Sequence, residues 1–483
     1  VTRLGRIAKN SAILLAAQVY STLTLFIYIP LLTRYLGSAN YGRYNYAYAF
    51  VGLFQVLAFL GTHQILIRET ARHKEKAGLY LGNLLIIKVV LTALTMALIL
   101  FAASLRGLTS EDLLIIAICA TEMLIRIYAN ANISIYRAYQ RMEYELLVLV
   151  VDRSVGLLGI LLVMYLRLDL VAVFLAFLAS AIIRGLVSFY ITLVKFVRPR
   201  FQLDLSLWKH FMAASTPIGV SLGIQRVYER GGTVILEAAR SITEVGLFGA
   251  SVRIYTMTGL GATSLLGALF PVFSELAVQS GDGLVRAYQA TLKFFLLFSL
   301  AICGVVLFGA DFITAIILGP EFTQSSVALR ILAPAVVFAF LGYLASFLLR
   351  SADHQGKDTA NWGLSLAANL VLSLVLIPRY GLSGAALALL ISEAVFGILG
   401  LTAVTRYISP LPGRKVFLGP LACGLLTAAI MVPLQRYPFP VAFVVGAIVY
   451  LTSIYAFGIL NRREKELIRD VAGSVVRSRR KPR

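Results

Sequence analysis

The stretch LLTRYLGSANYGRYNYAYAFVGLFQVLAFLGTHQILIRETAR, residues 31–72, reads as the end of one membrane span, a turn and a second whole span. The apolar run from Ser11 to Leu32 stops a few residues before Gly37, which suits a left-handed helix end, and Ser38 or Asn40 suits the cap of the next helix. A second run, Tyr46 to Ile67, is long enough to cross a bilayer and ends on Arg68 and Arg72. A helix, a tight turn, a helix and then a basic edge is the grammar of a polytopic membrane protein.

The rest of the chain repeats that grammar. Of its 483 residues 59% are hydrophobic and 14% charged, with a mean hydropathy of +0.84, well outside the range of soluble domains. Runs of spanning length number about fourteen by this criterion. The first is too long for a cleaved leader and is expected to remain as a span. Net charge is +21, but the basic residues gather in alternate connections. With the amino terminus inside, about 28 lie on the cytoplasmic side against about 7 outside, a positive-inside bias that also makes the carboxyl terminus cytoplasmic. The tail, residues 462–483, is rich in Arg and Lys and suits anionic lipid headgroups rather than nucleic acid. No connection is long enough for a soluble catalytic domain. Cys119, Cys303 and Cys423 sit in apolar runs without metal-ligand spacing, and the four histidines are scattered. No catalytic residues, metal or cofactor are expected.

An internal repeat divides the spans. An offset of about 204 lays YGRY (41–44) on VGLF (245–248), and one of about 212 lays RLDLVAVFLAFLAS (167–180) on RYGLSGAALALLIS (379–392). The expected fold is all-α, with two six-helix lobes, 1–204 and 205–410, then two additional spans, 411–461, and the basic tail. Six is an even number, so the lobes share one orientation and substrate belongs between them.

Charged residues inside spans are costly and face protein or water. Lys88, Glu122, Arg126, Arg184, Arg226, Glu229, Arg230, Arg253, Lys293, Arg330 and Glu393 are of this kind. Lys88 and Arg184 are expected near span ends, snorkelling to the interface. Glu122 and Arg126, four apart, are expected to pair. QRVYERGGTVIL (225–236) sets Arg226, Glu229 and Arg230 on one helical face with a net positive charge, to which Arg253 and Arg330 add. Guanidinium groups bind phosphate oxygens in pairs, so a phosphate or diphosphate headgroup is the expected ligand class. Gln18, Tyr28, Asn45, Tyr48 and Gln55 are candidates for facing sugars.

The 31–72 stretch, with LGPEF (318–322) and PRYGLSGAALALLISE (378–393), resembles the polysaccharide-export flippases, the oligosaccharide-lipid branch of the multidrug/oligosaccharidyl-lipid/polysaccharide transporter superfamily. Gly319 and Pro320 in the second motif read as a turn. The resemblance implies a twelve-helix core plus two helices in the cell membrane. It also implies movement of an isoprenoid-diphosphate-linked oligosaccharide to the outer leaflet through a cationic central cavity by alternating access. Membrane lipids, and a polysaccharide polymerase or assembly machinery, are the implied partners. A cation-coupled multidrug exporter and a peptidoglycan-precursor flippase of the same fold are the alternatives; an exporter of organic cations would carry a net acidic interior.

Overall fold

In lipid an apolar run satisfies all its backbone amides by closing them within one helix, and the fold is helical throughout. The computed structural model describes residues 3–279, 281–410 and 413–459. In chain order the helices are α1 (Arg3–Phe59), α2 (Thr62–Arg72), α3 (Ala77–Ser104), α4 (Ser110–Ala138), α5 (Met142–Tyr165), α6 (Leu170–Lys195), α7 (Leu205–Ala239), α8 (Ile242–Gln279), α9 (Gly281–Ile313), α10 (Ser325–Ser351), α11 (Gln355–Tyr407), α12 (Arg414–Leu434) and α13 (Phe439–Ala456). No strand occurs among the described residues. Ten helical stretches are long and apolar enough to cross a membrane. Two of them, containing α1 and α11, each hold two helices joined at a kink, and α4 and α7, of 29 and 35 residues, are also of crossing length. Counted so, the described residues offer fourteen crossing segments, as the apolar runs predict. The chain is a multi-pass membrane protein. The basic tail 462–483 lies outside the described residues.

The chain divides into two compact units. Of the described residues, the first comprises those in 3–253, 314–328 and 362–392; the second comprises those in 254–313, 329–361 and 393–459. In the first, α4 and α5 pack on α6, and α1 packs on α5 and α7. Both kinks lie in this unit, and each needs glycine for two reasons. Gly37 has φ 67°, a left-handed conformation, and a Cβ there would sit 2.7 Å from a carboxylate oxygen of Glu321. That carboxylate accepts the Ser38 N–H at 3.0 Å. Gly381 has φ 53°, and a Cβ there would come 2.2 Å from the Glu244 carboxylate, which accepts the Leu382 N–H at 2.8 Å. A remote glutamate thus caps each restarted helix with the charge that a helix amino terminus favours. The turn predicted at Gly319 is present, with φ 100°, and it delivers Glu321 to the 31–72 stretch while Phe322 packs edge-on to Tyr41.

The repeat offsets coincide with these helix starts. The helix restarted at Ser38 and α8, begun at Ile242, are 204 apart; α6, begun at Leu170, and the helix restarted at Leu382 are 212 apart. Positions 204 apart also meet in space. A Cβ on Gly42 would lie 2.0 Å from the Ile242 carbonyl oxygen, and one on Gly246 would lie 2.0 Å from the Ser38 carbonyl oxygen. One helical turn on, Gly249 lies against the Asn45 amide. The second helix of α1 and the start of α8 therefore cross backbone to backbone on paired glycines.

Two expectations need correction. Lys88 does not snorkel: it is wholly buried and donates to the carbonyl oxygens of Ala58 (2.5 Å) and Phe59 (2.9 Å). Those carbonyls end α1 where Leu60 (φ 42°) and Gly61 (φ 67°) turn left-handed, a break that falls inside the apolar run 46–67. The ammonium thus compensates the carboxyl end of a helix within the unit. Replacing it by methionine, Lys88→Met, orphans both acceptors, and an expected loss of about 1–3 kcal/mol should appear as a lower melting temperature in detergent; an unchanged melt would deny this role. Arg184 does not snorkel either, for a reason given below.

In the second unit α12 packs on α9 and α13. Tyr450 donates to the Leu297 carbonyl at 2.6 Å, and Arg350 pairs with Asp358 at 2.6 Å. Together α9, α12 and α13 line an apolar cavity of about 440 Å³, bounded by Leu300, Phe308, Leu425, Phe439 and Tyr450 among others.

Candidate functional site

Helix α7 starts cleanly because Asp204 accepts the Leu207 N–H at 3.0 Å; that bond and one from the Ser206 hydroxyl hold the Asp204 carboxyl below the usual carboxylate range. Two and a half turns after Pro217, the helix presents its charged face. Arg226 pairs with Glu229 at 3.0 Å, one turn on, and both side chains are about half exposed, 50% and 53%. Arg230 is half-buried, with its stem beside Gly52. Among the described residues it makes no hydrogen bond or ion pair, and its charged neighbours are Glu229, Arg253 and Arg226. Arg253, on α8, lies near Tyr41 and Tyr44. Gly231 brings the next turn of α7 against Leu370 of α11, so packing fixes the helix behind its charged face. Three arginines stand with one glutamate: the local charge is positive, as the sequence predicts.

The remaining candidates are more dispersed. Arg330 belongs to the second unit and pairs with Asp311. Gln18 is exposed on α1. Tyr28 is buried and donates to the Arg153 carbonyl at 3.0 Å. Asn45 donates to the Tyr41 carbonyl at 2.9 Å, Tyr48 stacks on Phe174 at 5.7 Å, and Gln55 donates to the Met123 carbonyl at 3.2 Å. Gln18 is the one of these five with an exposed side chain.

A second constellation, partly missed by sequence reading, lies in the same unit. Arg126 pairs with Glu122 on its own helix, as the four-residue spacing predicts. It also donates to both carboxylate oxygens of Asp152 on α5 at 2.8 Å. Asp152 is buried, accepts the Ser180 hydroxyl at 2.8 Å and is reached by Arg184 at 3.3 Å; Arg184 in turn donates to Asn130 at 2.7 Å. Two carboxylates thus meet two guanidiniums across α4, α5 and α6, which is why Arg184 stays inside. The signal for Asp152 was available: VVDRSVG places a carboxylate in the middle of an apolar run.

A family model described as polysaccharide biosynthesis protein matches residues 7–277. The chain belongs to that family. It is 23% identical over 408 residues to the capsular polysaccharide biosynthesis protein CapF of Staphylococcus aureus, covering 80% of this chain and 96% of that one. It is 22% identical over 409 residues to a probable low-salt glycan biosynthesis flippase, Agl15, of Haloferax volcanii, covering 83% and 84%. Among solved structures, the lipid II flippase MurJ in an inward closed conformation superposes with a TM-score of 0.78 at 15% identity, covering 92% of this chain and 98% of that one. An inward-facing multidrug MATE transporter follows at 0.69 and 17%, covering 81% and 94%. The fold is that of these solved membrane transporters.

Proposed function

We propose that this chain is a flippase that moves an isoprenoid-diphosphate-linked oligosaccharide from the cytoplasmic to the outer leaflet of the cell membrane. In this reading lobes 1–204 and 205–410 alternate access, both termini are cytoplasmic, and a polysaccharide polymerase or other assembly machinery takes the product. The relatives named for capsular polysaccharide and glycan flipping support the substrate class. The observation that carries the binding step is Arg230. A guanidinium in a spanning helix, without a hydrogen-bond or ion-pair partner among the described residues and with Arg226 and Arg253 beside it, has its strongest available partner in a ligand's phosphate oxygens. Glu229 holds Arg226 in place and tempers the excess charge. Arg330 would join later in the path, once its pair with Asp311 opens. Gln18, Tyr28, Asn45, Tyr48 and Gln55 would meet the glycan only after exchanging their present contacts. Outward passage of one net negative charge across an inside-negative potential is favoured by about 2.3 kcal/mol per 100 mV, so a potential alone suffices to drive it.

The test is translocation of a fluorescent isoprenoid-diphosphate oligosaccharide in proteoliposomes under an imposed potential. Loss of two guanidinium contacts should slow transport by the Arg226→Ala/Arg230→Ala variant by about tenfold or more with its melting temperature kept. Equal transport by variant and wild type would remove the arginine site. Transport of an organic cation in place of the glycan would favour the multidrug reading.

A further inference from the structure

The connection between α6 and α7 is not a loose loop. Its backbone is clamped along α3: Arg200 donates its N–H to the Gly78 carbonyl at 2.8 Å, and Asp204 donates its N–H to the Asn83 side-chain oxygen at 3.1 Å. Trp208 donates to the same Asn83 oxygen at 3.0 Å. The fit leaves room for no side chain on the α3 side, since a Cβ on Gly82 would lie 2.0 Å from the Arg200 carbonyl oxygen and one on Gly78 2.6 Å from that of Arg198. An arm held this firmly presents its outward side chains in a fixed order. Those side chains come in two groups: Lys195, Arg198 and Arg200 are exposed, and after them so are Phe201, Leu203 and Leu205 at 64%, 72% and 74%. Basic heads with apolar neighbours at helix ends match the boundary between headgroups and hydrocarbon.

Directly beside the arm is a groove of about 580 Å³ whose lining includes Leu85 and Val89 of α3, Ile125 and Asn132 of α4, Phe189 of α6, and Phe201 of the arm itself. Asn132 stands six residues before the end of α4, and Leu85 eight after the start of α3. At 1.5 Å per residue these depths are about 9 and 12 Å, and Val89 and Ile125 lie about 18 and 20 Å in, so the groove opens in the leaflet facing the basic connections and reaches about the bilayer midplane. Its lining is apolar apart from Asn132 and Tyr128. The hydroxyl of Tyr128 already bonds Thr92 at 2.7 Å. Asn132, 2% exposed, donates to the Tyr128 carbonyl and the Ser188 hydroxyl, but its side-chain oxygen has no hydrogen-bond partner among the described residues.

We propose that this groove and the clamped arm form a binding site for an anionic phospholipid such as phosphatidylglycerol. One acyl chain lies along Leu85, Val89, Ile125 and Phe189, and the phosphate meets Lys195, Arg198 and Arg200. The occupant is a bilayer lipid rather than the transported one, because the cationic face of α7 and not this groove is the site assigned to the diphosphate.

The test is native mass spectrometry of the full chain extracted from vesicles of equal phosphatidylglycerol and phosphatidylcholine, with no transport step. Bound phosphatidylglycerol should exceed phosphatidylcholine at least about fivefold, the order given by one charge-assisted contact. Lys195→Ala/Arg198→Ala/Arg200→Ala should abolish that preference while the melting temperature stays within a few degrees. Equal retention of both lipids by the wild type, or an unchanged preference in the triple variant, overturns the proposal. Displacement of phosphatidylglycerol by an isoprenyl diphosphate at equal concentration also overturns it, by giving the groove to the transported lipid. Failure of the transport assay above leaves this binding result untouched.

Discussion

Asp152→Ala should lower the stability of the solubilised protein by about 3–5 kcal/mol, the range for removing one member of a buried ion network. Asp152 is the shared partner: Arg126 donates to both its oxygens, and Ser180 and Arg184 reach it as well. Without it, one buried carboxylate, Glu122, faces two guanidiniums, and one of the oxygens of Glu122 already lacks a hydrogen-bond partner among the described residues. Asp152→Asn should fall between the two, because it keeps an oxygen for Ser180 while losing the charge. A chemical-denaturation series in detergent measures both, and the pairing itself follows from a cycle with Arg184→Ala. If Arg184 acts through Asp152, the double variant should cost less than the two single changes together by about 0.5–3 kcal/mol. Additive losses would mean that Arg184 acts independently of Asp152, and an Asp152→Ala protein as stable as the wild type would mean that the network contributes nothing.

The network also marks where sequence reading ends. A pair on one helix is legible, since four residues make one turn, and Glu122 with Arg126 was found that way, as was Arg226 with Glu229. Asp152 and Arg184 are brought to Arg126 by the packing of α5 and α6 on α4, and no spacing in the sequence encodes which apolar faces meet. Lys88 was misplaced for a related reason. A lysine in an apolar run reads as one seeking water, but its partners are carbonyls released by a break at Leu60 and Gly61 in another helix. The spans, the turn at Gly319 and the excess positive charge of α7 were legible because composition and local period decide them. The caps at Ser38 and Leu382 were not, because Glu321 and Glu244 arrive from 283 and 138 residues away along the chain.

The repeat expected from the sequence is only a faint offset, but positions 204 apart make a contact that has a consequence for it. Asn45 and Gly249, equivalent under that offset, touch at the crossing where Gly42 and Gly246 bring two backbones together. If the lobes alternate access, this crossing, built from the second helix of each repeat, must part in every cycle, and a covalent bond across it should stop transport altogether. The geometry permits one. A Cβ on Gly249 lies 2.6 Å from the Asn45 Cγ and no nearer than 2.9 Å to the Asn45 Cβ; with one carbon–carbon bond of about 1.5 Å added, the two Cβ atoms are at most about 4.1 Å apart, a span that overlaps the disulfide range. An Asn45→Cys/Gly249→Cys protein should therefore transport when reduced, fall to background when oxidised, and recover with reductant, while each single variant ignores both treatments. The native cysteines do not confuse the result, since Cys119 and Cys423 are buried and the single variants control for Cys303. Oxidised protein that is fully crosslinked yet transports at the reduced rate would show that the crossing is a fixed axle, and would move the opening of the path to other helices. A glycine pair that only packs and a glycine pair that opens look the same in one conformation, and the bond distinguishes them because it removes the motion without altering the charge of the arginine site.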